Sequence, residues 1–390
     1  MRRLSVVLLL IVMLSLAVCT ALVMKAVPHD PNRVYRPSPP KPSHPQPTRY
    51  ERLLPRYLKY ASVVAEERVK DNTRFYRQGL RYRRQREAKI RWRESQILRE
   101  LRERAAKRQD GKLSFEGECP ENMALVVTSD ASARIFRALV KENHADPWVI
   151  VSGFPRRAML LSDEWIKLVL ELADKADKDS GLYWDTAITL YRAGVHREKY
   201  RPVLEKWSEE GDPVALNALF FNLDAETGQP VVVDNPKNRV LLKRFSGPRY
   251  PPDIRAECAY YAAETGDLKL AEALCTEIIA TRYEGLGKPG EPNAERSPAD
   301  KRLFRGKHNV GIAGPGAMDI LFYKVRTERA FKTIFELAEV YDNANRIGRS
   351  EIPSQWKGFE DFYPAEFDLE HASSLVYEIE HFEEIHSRRP

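Results

Sequence analysis

The chain has 390 residues, which is enough for two or three ordinary domains. A hydrophobic content of 43% is typical of a globular protein with a sizeable core, and it excludes a chain too polar to fold. The net charge of +7 divides unevenly: residues 1–48 carry +5, residues 49–108 carry +12 and residues 109–390 carry −10. This asymmetry bears on partners and self-contacts rather than on the fold. If the asymmetry has no role in binding, the chain is simply a solvated basic helix beside a separately folded acidic domain.

An uncharged apolar segment lies near the amino terminus. It begins at Leu4, ends at Met24 and follows Arg2 and Arg3. At about 1.5 Å per residue it spans about 31 Å, roughly the thickness of one bilayer core. Its length and the lack of a clean cleavage site predict an uncleaved, single-pass inner-membrane anchor. A cleaved signal, with a periplasmic or secreted body, is the alternative, and residues 16–19 (LAVC) also resemble a bacterial lipoprotein box.

The orientation of this anchor is open. Two arginines before a short apolar segment are the ordinary signal-anchor arrangement, which predicts a body facing the periplasm. Basic residues on the far side of the segment favour the opposite orientation by the positive-inside rule: Lys25, Arg33, Arg36 and Lys41.

A proline-rich spacer follows at 25–48. Eight prolines between residues 28 and 48 exclude a helix or a central strand. As polyproline II the stretch would be a semi-rigid spacer that reaches up to about 65 Å. A proline-rich stretch behind an anchor resembles bacterial proteins that reach across the periplasm.

Residues 49–108 predict a long, mostly helical, basic arm. Pro55 is placed to open the helix at its first turn, and Gly79 weakens the middle. Four apolar residues recur at helical spacing in its first part: Leu54, Leu58, Ala61 and Ala65. A second apolar seam is too short for a coiled coil: Ile90, Ile97, Leu101 and Ala105.

Six arginines of this arm are interleaved with Tyr82 and Trp92: Arg81, Arg83, Arg84, Arg86, Arg91 and Arg93. Guanidinium groups contact phosphate and stack on aromatic rings, so the pattern predicts an anion-binding helix. Beside a bilayer the favoured partner is anionic lipid, at about 1 kcal/mol per basic residue near the surface. Another envelope polyanion is an alternative, and nucleic acid is less favoured. A solvated helix with internal pairs such as Glu87–Arg91 and Glu100–Arg104 also remains open.

The acidic body, 109–390, predicts mostly helices. Apolar runs at 124–128 and 148–151 around a helix at 131–142 suggest one strand–helix–strand unit. From Ser162, a candidate N-cap, helices joined by glycine turns are expected. Their predicted positions are 163–176, 183–193, 202–208, 213–223, 254–265 and 268–281. This pattern is typical of stacked antiparallel helix pairs.

Two stretches resemble known helical repeats. Residues 210–219 (EGDPVALNAL) resemble the SEL-like branch of tetratricopeptide repeats, with alanine four and leucine eight residues after Gly211. Residues 266–271 (GDLKLA) are similar to the ordinary tetratricopeptide turn, with alanine five residues after Gly266. The resemblance covers 183–281 and departs from the family in lacking a regular period. It implies a concave face that binds a protein or peptide.

Cys258 and Cys275 lie at equal distances on either side of the predicted turn at 266–267. In an antiparallel helix pair they would stand at one level, where a disulfide is feasible if the Cβ atoms lie within about 4.5 Å. It would fit an oxidising compartment. SEL-like repeats of exported bacterial proteins bridge their helices with a different cysteine spacing. Two buried thiols are the alternative.

The sequence contains no recognised catalytic, cofactor or metal motif. His381 and His386 are five residues apart, which does not put two ligands on one helix face. The stretch 281–318 is longer than usual loops, so it is either functional or mobile. An aromatic, acid-flanked segment predicts partner docking, or else packing on the last helix: Trp356, Phe359, Phe362 and Tyr363.

The predicted fold is mainly α, with antiparallel helix pairs stacked as a short α-solenoid. One N-terminal transmembrane helix and a long basic helix precede the solenoid. The predicted domains are an anchor at 1–24, a spacer at 25–48, a basic arm at 49–108 and an acidic helical-repeat domain at 109–390. The expected function is a membrane-anchored, exported scaffold or adaptor, without cofactor or catalysis, that binds another envelope protein in a larger assembly. The alternatives are an envelope enzyme with its site on 281–318 and a nucleic-acid- or polyanion-binding protein acting through the arm.

Overall fold

The structure is a computed structural model, and it describes residues 47–113, 129–151, 161–283, 315–347 and 363–387. Contacts divide the chain into two units, Met1–Pro47 and Thr48–Pro390. The predicted anchor at 4–24 and the spacer up to residue 46 lie outside the described residues. Within the described ranges, no helix combines the length and apolarity that crossing a bilayer requires.

The described part of Thr48–Pro390 is built almost entirely from helices, which confirms the mainly α class. Its elements in chain order are α1 (Arg49–Ala106), α2 (Asp130–Lys141), α3 (Pro147–Val151), α4 (Asp163–Lys175), α5 (Gly181–Arg192), α6 (Arg197–Glu209), α7 (Pro213–Phe220), β1 (Phe221–Leu223), β2 (Pro230–Val232), α8 (Pro236–Phe245), α9 (Pro252–Glu264), α10 (Leu268–Tyr283), α11 (Ala317–Ile320), a π-helical turn (Leu321–Val325), α12 (Glu328–Ile347), α13 (Tyr363–Glu380) and α14 (Phe382–Ser387).

Successive helices pack as antiparallel pairs, as the sequence predicted: α4 on α5, α6 on α7, α9 on α10 and α12 on α13. Short turns with a left-handed glycine make the reversals. Gly211 (φ 95°) ends α6, and Gly266 (φ 87°) ends α9. Each glycine allows the N–H of the following residue to donate to a carbonyl of the helix that has just ended. Asp212 N donates to Trp207 O at 3.0 Å, and Asp267 N donates to Ala262 O at 2.8 Å. These local stops fix the hairpins.

Three predicted elements differ in the structure. The run 148–151 belongs to helix α3, because the Asp146 side chain accepts the Trp148 amide at 2.8 Å and Pro147 suits the first helical position. Helix α7 stops at Phe220, since residues 221–223 pair with β2 through Phe221↔Val232. Helix α6 begins before Pro202, which lies inside it. The run at 124–128 lies outside the described residues.

Helix α1 starts at Arg49 rather than at Pro55. Thr48 and Glu51 form a capping box: the Glu51 amide donates to Thr48 Oγ1 at 3.2 Å, and the Thr48 amide donates to the Glu51 carboxylate at 2.7 Å. Of the four apolar residues at helical spacing, Ala61 is buried, Leu54 and Ala65 are half-buried and Leu58 is 53% exposed. The residues that pack inward are Leu53, Tyr57, Ala61 and Val64.

The two ends of α1 pack on opposite ends of the helix series. Near its start, Tyr57 stacks on Phe331 of α12 with ring centroids 4.5 Å apart, and its hydroxyl donates to Leu321 O at 3.3 Å. Near its end, after a kink at Arg93, α1 packs on α2. One helix therefore contacts α2, which precedes the first pair, and the last pair of the described series, α12 and α13.

Candidate interaction surface on the long helix

The middle of α1 is bare. Between residues 65 and 89, none of the described side chains is buried. The β1–β2 turn contacts this part of α1. There the Tyr76 hydroxyl donates to Ala225 O and Gln229 Nε2 donates to Thr73 Oγ1, both at 3.4 Å. The ring of Tyr76 lies against Gly228, where a Cβ would overlap it. Among the described residues the helix is thus held at both ends, and between them it contacts the body at the β1–β2 turn and through Arg68, which lies 3.4 Å from the Asp319 carboxylate.

Residues 74–93, here called the basic span, carry nine basic residues and one acidic residue, Glu87. The span is about 30 Å long at 1.5 Å per residue. A charge of +8 on one exposed helical rod is a strong, localised positive field.

The arginines of the basic span are used differently. Arg93 donates to Gln96 at 3.0 Å and to Glu100 at 3.5 Å, and Arg86 lies 5.3 Å from the Tyr82 ring centroid. Three exposed arginines have no carboxylate partner among the described side chains: Arg81, Arg84 and Arg91. Arg83 lies in the same helix, but its side chain is outside the described part of the structure.

Three large aromatic side chains of this span point into solvent. Phe75 is 70% exposed, Tyr82 is 51% exposed and Trp92 is 87% exposed. At 100° per residue, Phe75 and Tyr82 differ by only about 20° around the helix, and Trp92 lies about 80° from Tyr82. The aromatic rings therefore share the outward side of α1. Phe75 escaped the sequence interpretation, although its seven-residue spacing from Tyr82 was the signal that could have found it.

Two arginines of α1 outside the span, Arg49 and Arg102, have acidic partners in the body. Arg49 donates to Glu339 and Asp342 at 2.7 Å and to Glu380 at 2.8 Å. Burial alone would lower the pKa of Arg49, but these three hydrogen bonds raise it above its ordinary value.

The second packed end of α1 repeats this pairing. Arg102 forms a bidentate pair with Glu142 at 2.5 and 2.7 Å. The chain's charge asymmetry is therefore partly a self-contact. The positive charge left over is concentrated in the basic span.

Cys258 and Cys275 are free thiols in the structure, and both are completely buried. Burial raises the pKa of each thiol above its ordinary value. Both thiols are therefore protonated and inaccessible in the folded protein. The disulfide between them stays a prediction.

The other predicted site residues contribute little. Trp356, Phe359 and Phe362 lie outside the described residues, and Tyr363 is the first residue of α13. Of the predicted loop at 281–318, residues 284–314 also lie outside. Within the described ranges, no cluster of three or more histidine, cysteine, aspartate or glutamate side chains could hold a metal ion.

One buried carboxylate was not foreseen from the sequence. Asp185 of α5 is 3% exposed, and the indole N–H of Trp148 donates to it. Burial raises the pKa of Asp185 to about 7, although the Trp148 hydrogen bond acts in the opposite direction. Gly181 leaves room for the indole, whose Nε1 would lie 3.1 Å from a Cβ at that position. This contact joins α3 to α5.

No protein-family model, curated protein or solved structure matches the chain.

Proposed function

We propose that the protein is a membrane-anchored helical adaptor that acts by binding and uses the basic span as a binding surface. The observation that carries this is the bare middle of α1, where Phe75, Tyr82 and Trp92 are more than half exposed beside arginines without carboxylate partners. Exposed clusters of arginine, tryptophan and tyrosine supply much of the binding energy at protein interfaces. A monomer without a partner would gain nothing from leaving them in water.

The rest of the proposal comes from the sequence. The apolar segment 4–24 anchors the chain in the inner membrane, and the body faces the periplasm. The stacked helix pairs are consistent with the tetratricopeptide- or SEL-like resemblance at 183–281, which implies a scaffold for another envelope protein. The adaptor thereby connects that protein to the membrane.

Crosslinking the tagged full-length protein in membranes, followed by purification, tests this function. The key variant replaces Arg81, Arg84 and Arg91 with glutamine, and it should lose the crosslinked complexes. The matched control variant removes three exposed lysines elsewhere on the body, and it should keep them: Lys175→Gln, Lys178→Gln and Lys269→Gln. Equal complex recovery from both variants would overturn the role of the basic span.

Nucleic acid is the second candidate ligand, because arginines beside exposed rings also suit base stacking and phosphate contact. It requires the opposite orientation of the anchor. Protease access to the body from the periplasmic side would exclude it, whereas binding that falls steeply with salt would support it.

A further inference from the structure

The basic span has the form of a membrane-surface helix. It is an exposed helical segment that runs up to the kink at Arg93, it has a charge of +8, and its outward side carries Phe75, Tyr82 and Trp92. Aromatic rings favour the headgroup level of a bilayer, since one part of the ring is apolar and the other tolerates water. Arginine side chains beside them reach lipid phosphates and keep their stems along the apolar layer.

We propose that the basic span docks on the anionic lipid headgroups of the bilayer in which the chain is anchored. This inference rests on the proposed function and deepens it: the basic span binds the lipid surface, and this attachment holds the body where it meets its protein partner, so that loss of the span's charge also lowers complex formation. It adds a second attachment point, so that the body lies against the membrane instead of hanging from the spacer.

The chain lengths permit this arrangement. The proline-rich part of the spacer, 28–48, would reach up to about 65 Å as polyproline II at about 3.1 Å per residue. The middle of the basic span lies about 35 residues after Thr48, or about 50 Å along α1. A spacer longer than that distance can leave the bilayer, join the start of α1 and still let the span lie on the surface. Anchoring also supplies a high effective lipid concentration, so that a modest affinity is enough.

The pattern of paired and unpaired arginines supports a surface ligand. Where α1 packs on the body, Arg49 and Arg102 are neutralised by carboxylates of the same chain. On the span, Arg74, Arg81 and Lys89 are exposed, lack such partners among the described side chains and lie within about 100° of Tyr82 around the helix axis. A continuous anionic plane can neutralise all three at once. It also fits the row of rings better than a single peptide carboxylate would.

Fluorescence of the full-length protein in lipid nanodiscs tests the docking. The label is an NBD group on Gln78→Cys, which is exposed between Phe75 and Tyr82. Cys19 and Cys119 are replaced by serine, and the buried Cys258 and Cys275 are left in place. The control label is on Lys178→Cys, an exposed position in the turn between α4 and α5.

Discs of phosphatidylcholine are compared with discs that also contain phosphatidylglycerol. We expect the label at position 78 to shift to the blue only with phosphatidylglycerol, and the label at 178 not to respond. The shift should weaken as salt rises, because exposed charges are screened. Replacing Arg74, Arg81 and Lys89, which lie on the ring side, with glutamine should lower the docked-to-undocked ratio roughly 100-fold, at about fivefold for each basic residue near the surface.

Three further samples separate lipid from other anions. Inorganic phosphate, polyglutamate and a DNA oligonucleotide are each added to phosphatidylcholine discs. A response at position 78 to polyglutamate or DNA, without one to phosphatidylglycerol, would overturn the lipid proposal and leave the binding function standing. No response in any sample would also overturn the lipid proposal. So would a response that the glutamine variant of Arg74, Arg81 and Lys89 retains. The crosslinking experiment decides the proposed function independently.

Discussion

Replacing Asp185 with asparagine should stabilise the protein at neutral pH and leave its stability unchanged in acid. The carboxyl is 3% exposed and its pKa in the folded protein is raised to about 7, with burial as the main cause. In the unfolded chain an aspartate has a pKa of about 3.9. The folded state therefore holds the proton more tightly between about pH 4 and pH 7.

The sign of the pH dependence follows from this difference. Below about pH 4 both states are protonated, and the contribution of Asp185 to stability is fully present. As pH rises from about 4 to 7 the unfolded state releases its proton first, so the free energy of unfolding falls by about 1.4 kcal/mol per pH unit. The loss reaches roughly 4 kcal/mol at pH 7 and stays constant above it. Asparagine cannot ionise, and its side-chain oxygen still accepts the Trp148 N–H.

Urea unfolding followed by circular dichroism at several pH values from acid to weakly basic checks this prediction. The gap in free energy of unfolding between Asp185→Asn and the parent should be near zero at pH 4 and grow to a few kcal/mol at pH 8. Asp174→Asn, a change at a 70% exposed carboxylate on the neighbouring helix, should show no such growth. A gap of the same size at pH 5 and pH 8 would refute the assignment of a costly buried charge.

Three other perturbations follow from the fold. Gly228→Ala should destabilise by about 1–3 kcal/mol in thermal melts, because φ is 67° there and the new Cβ overlaps the Tyr76 ring; an unchanged melting temperature would contradict the contact. Arg49→Gln should lower the free energy of unfolding by about 1–3 kcal/mol, since three carboxylates lose a charged donor. Added salt should reduce the difference in this free energy between the variant and the parent. Cys258 and Cys275 should react with a thiol reagent only after denaturation under reducing conditions; rapid labelling of the native protein would contradict their burial.

Sequence patterns located the helical hairpins because their signals are local. Ser162 caps α4 as predicted, accepting the Trp165 amide, and Gly266 ends α9 where expected. The inward face of α1 could not be found in this way. Tyr57 is fully buried because it packs on Phe331 and donates to the carbonyl of Leu321. Both partners lie more than 260 residues further along the chain, so no local pattern reveals them. By sequence alone, Leu58 was the better core residue.

The candidate site was partly foreseen. The arginines around Tyr82 and Trp92 were recognisable by composition, but exposure depends on where the body leaves α1 uncovered. Strand β1 escaped prediction because its three residues are extended only by pairing with β2. Asp185 escaped because nothing near it in sequence shows that Trp148 will cover it.

The way α1 is attached alters how the body would come apart. An open array of helix pairs usually frays from its free ends, since each pair contacts only its neighbours. Here one helix, α1, contacts α2 near its end and the last pair, α12 and α13, near its start. Unfolding of either end of the array must detach part of α1, which also weakens the packing at the other end. Pulling on the chain at Thr48, where α1 begins, would therefore load both ends of the array together.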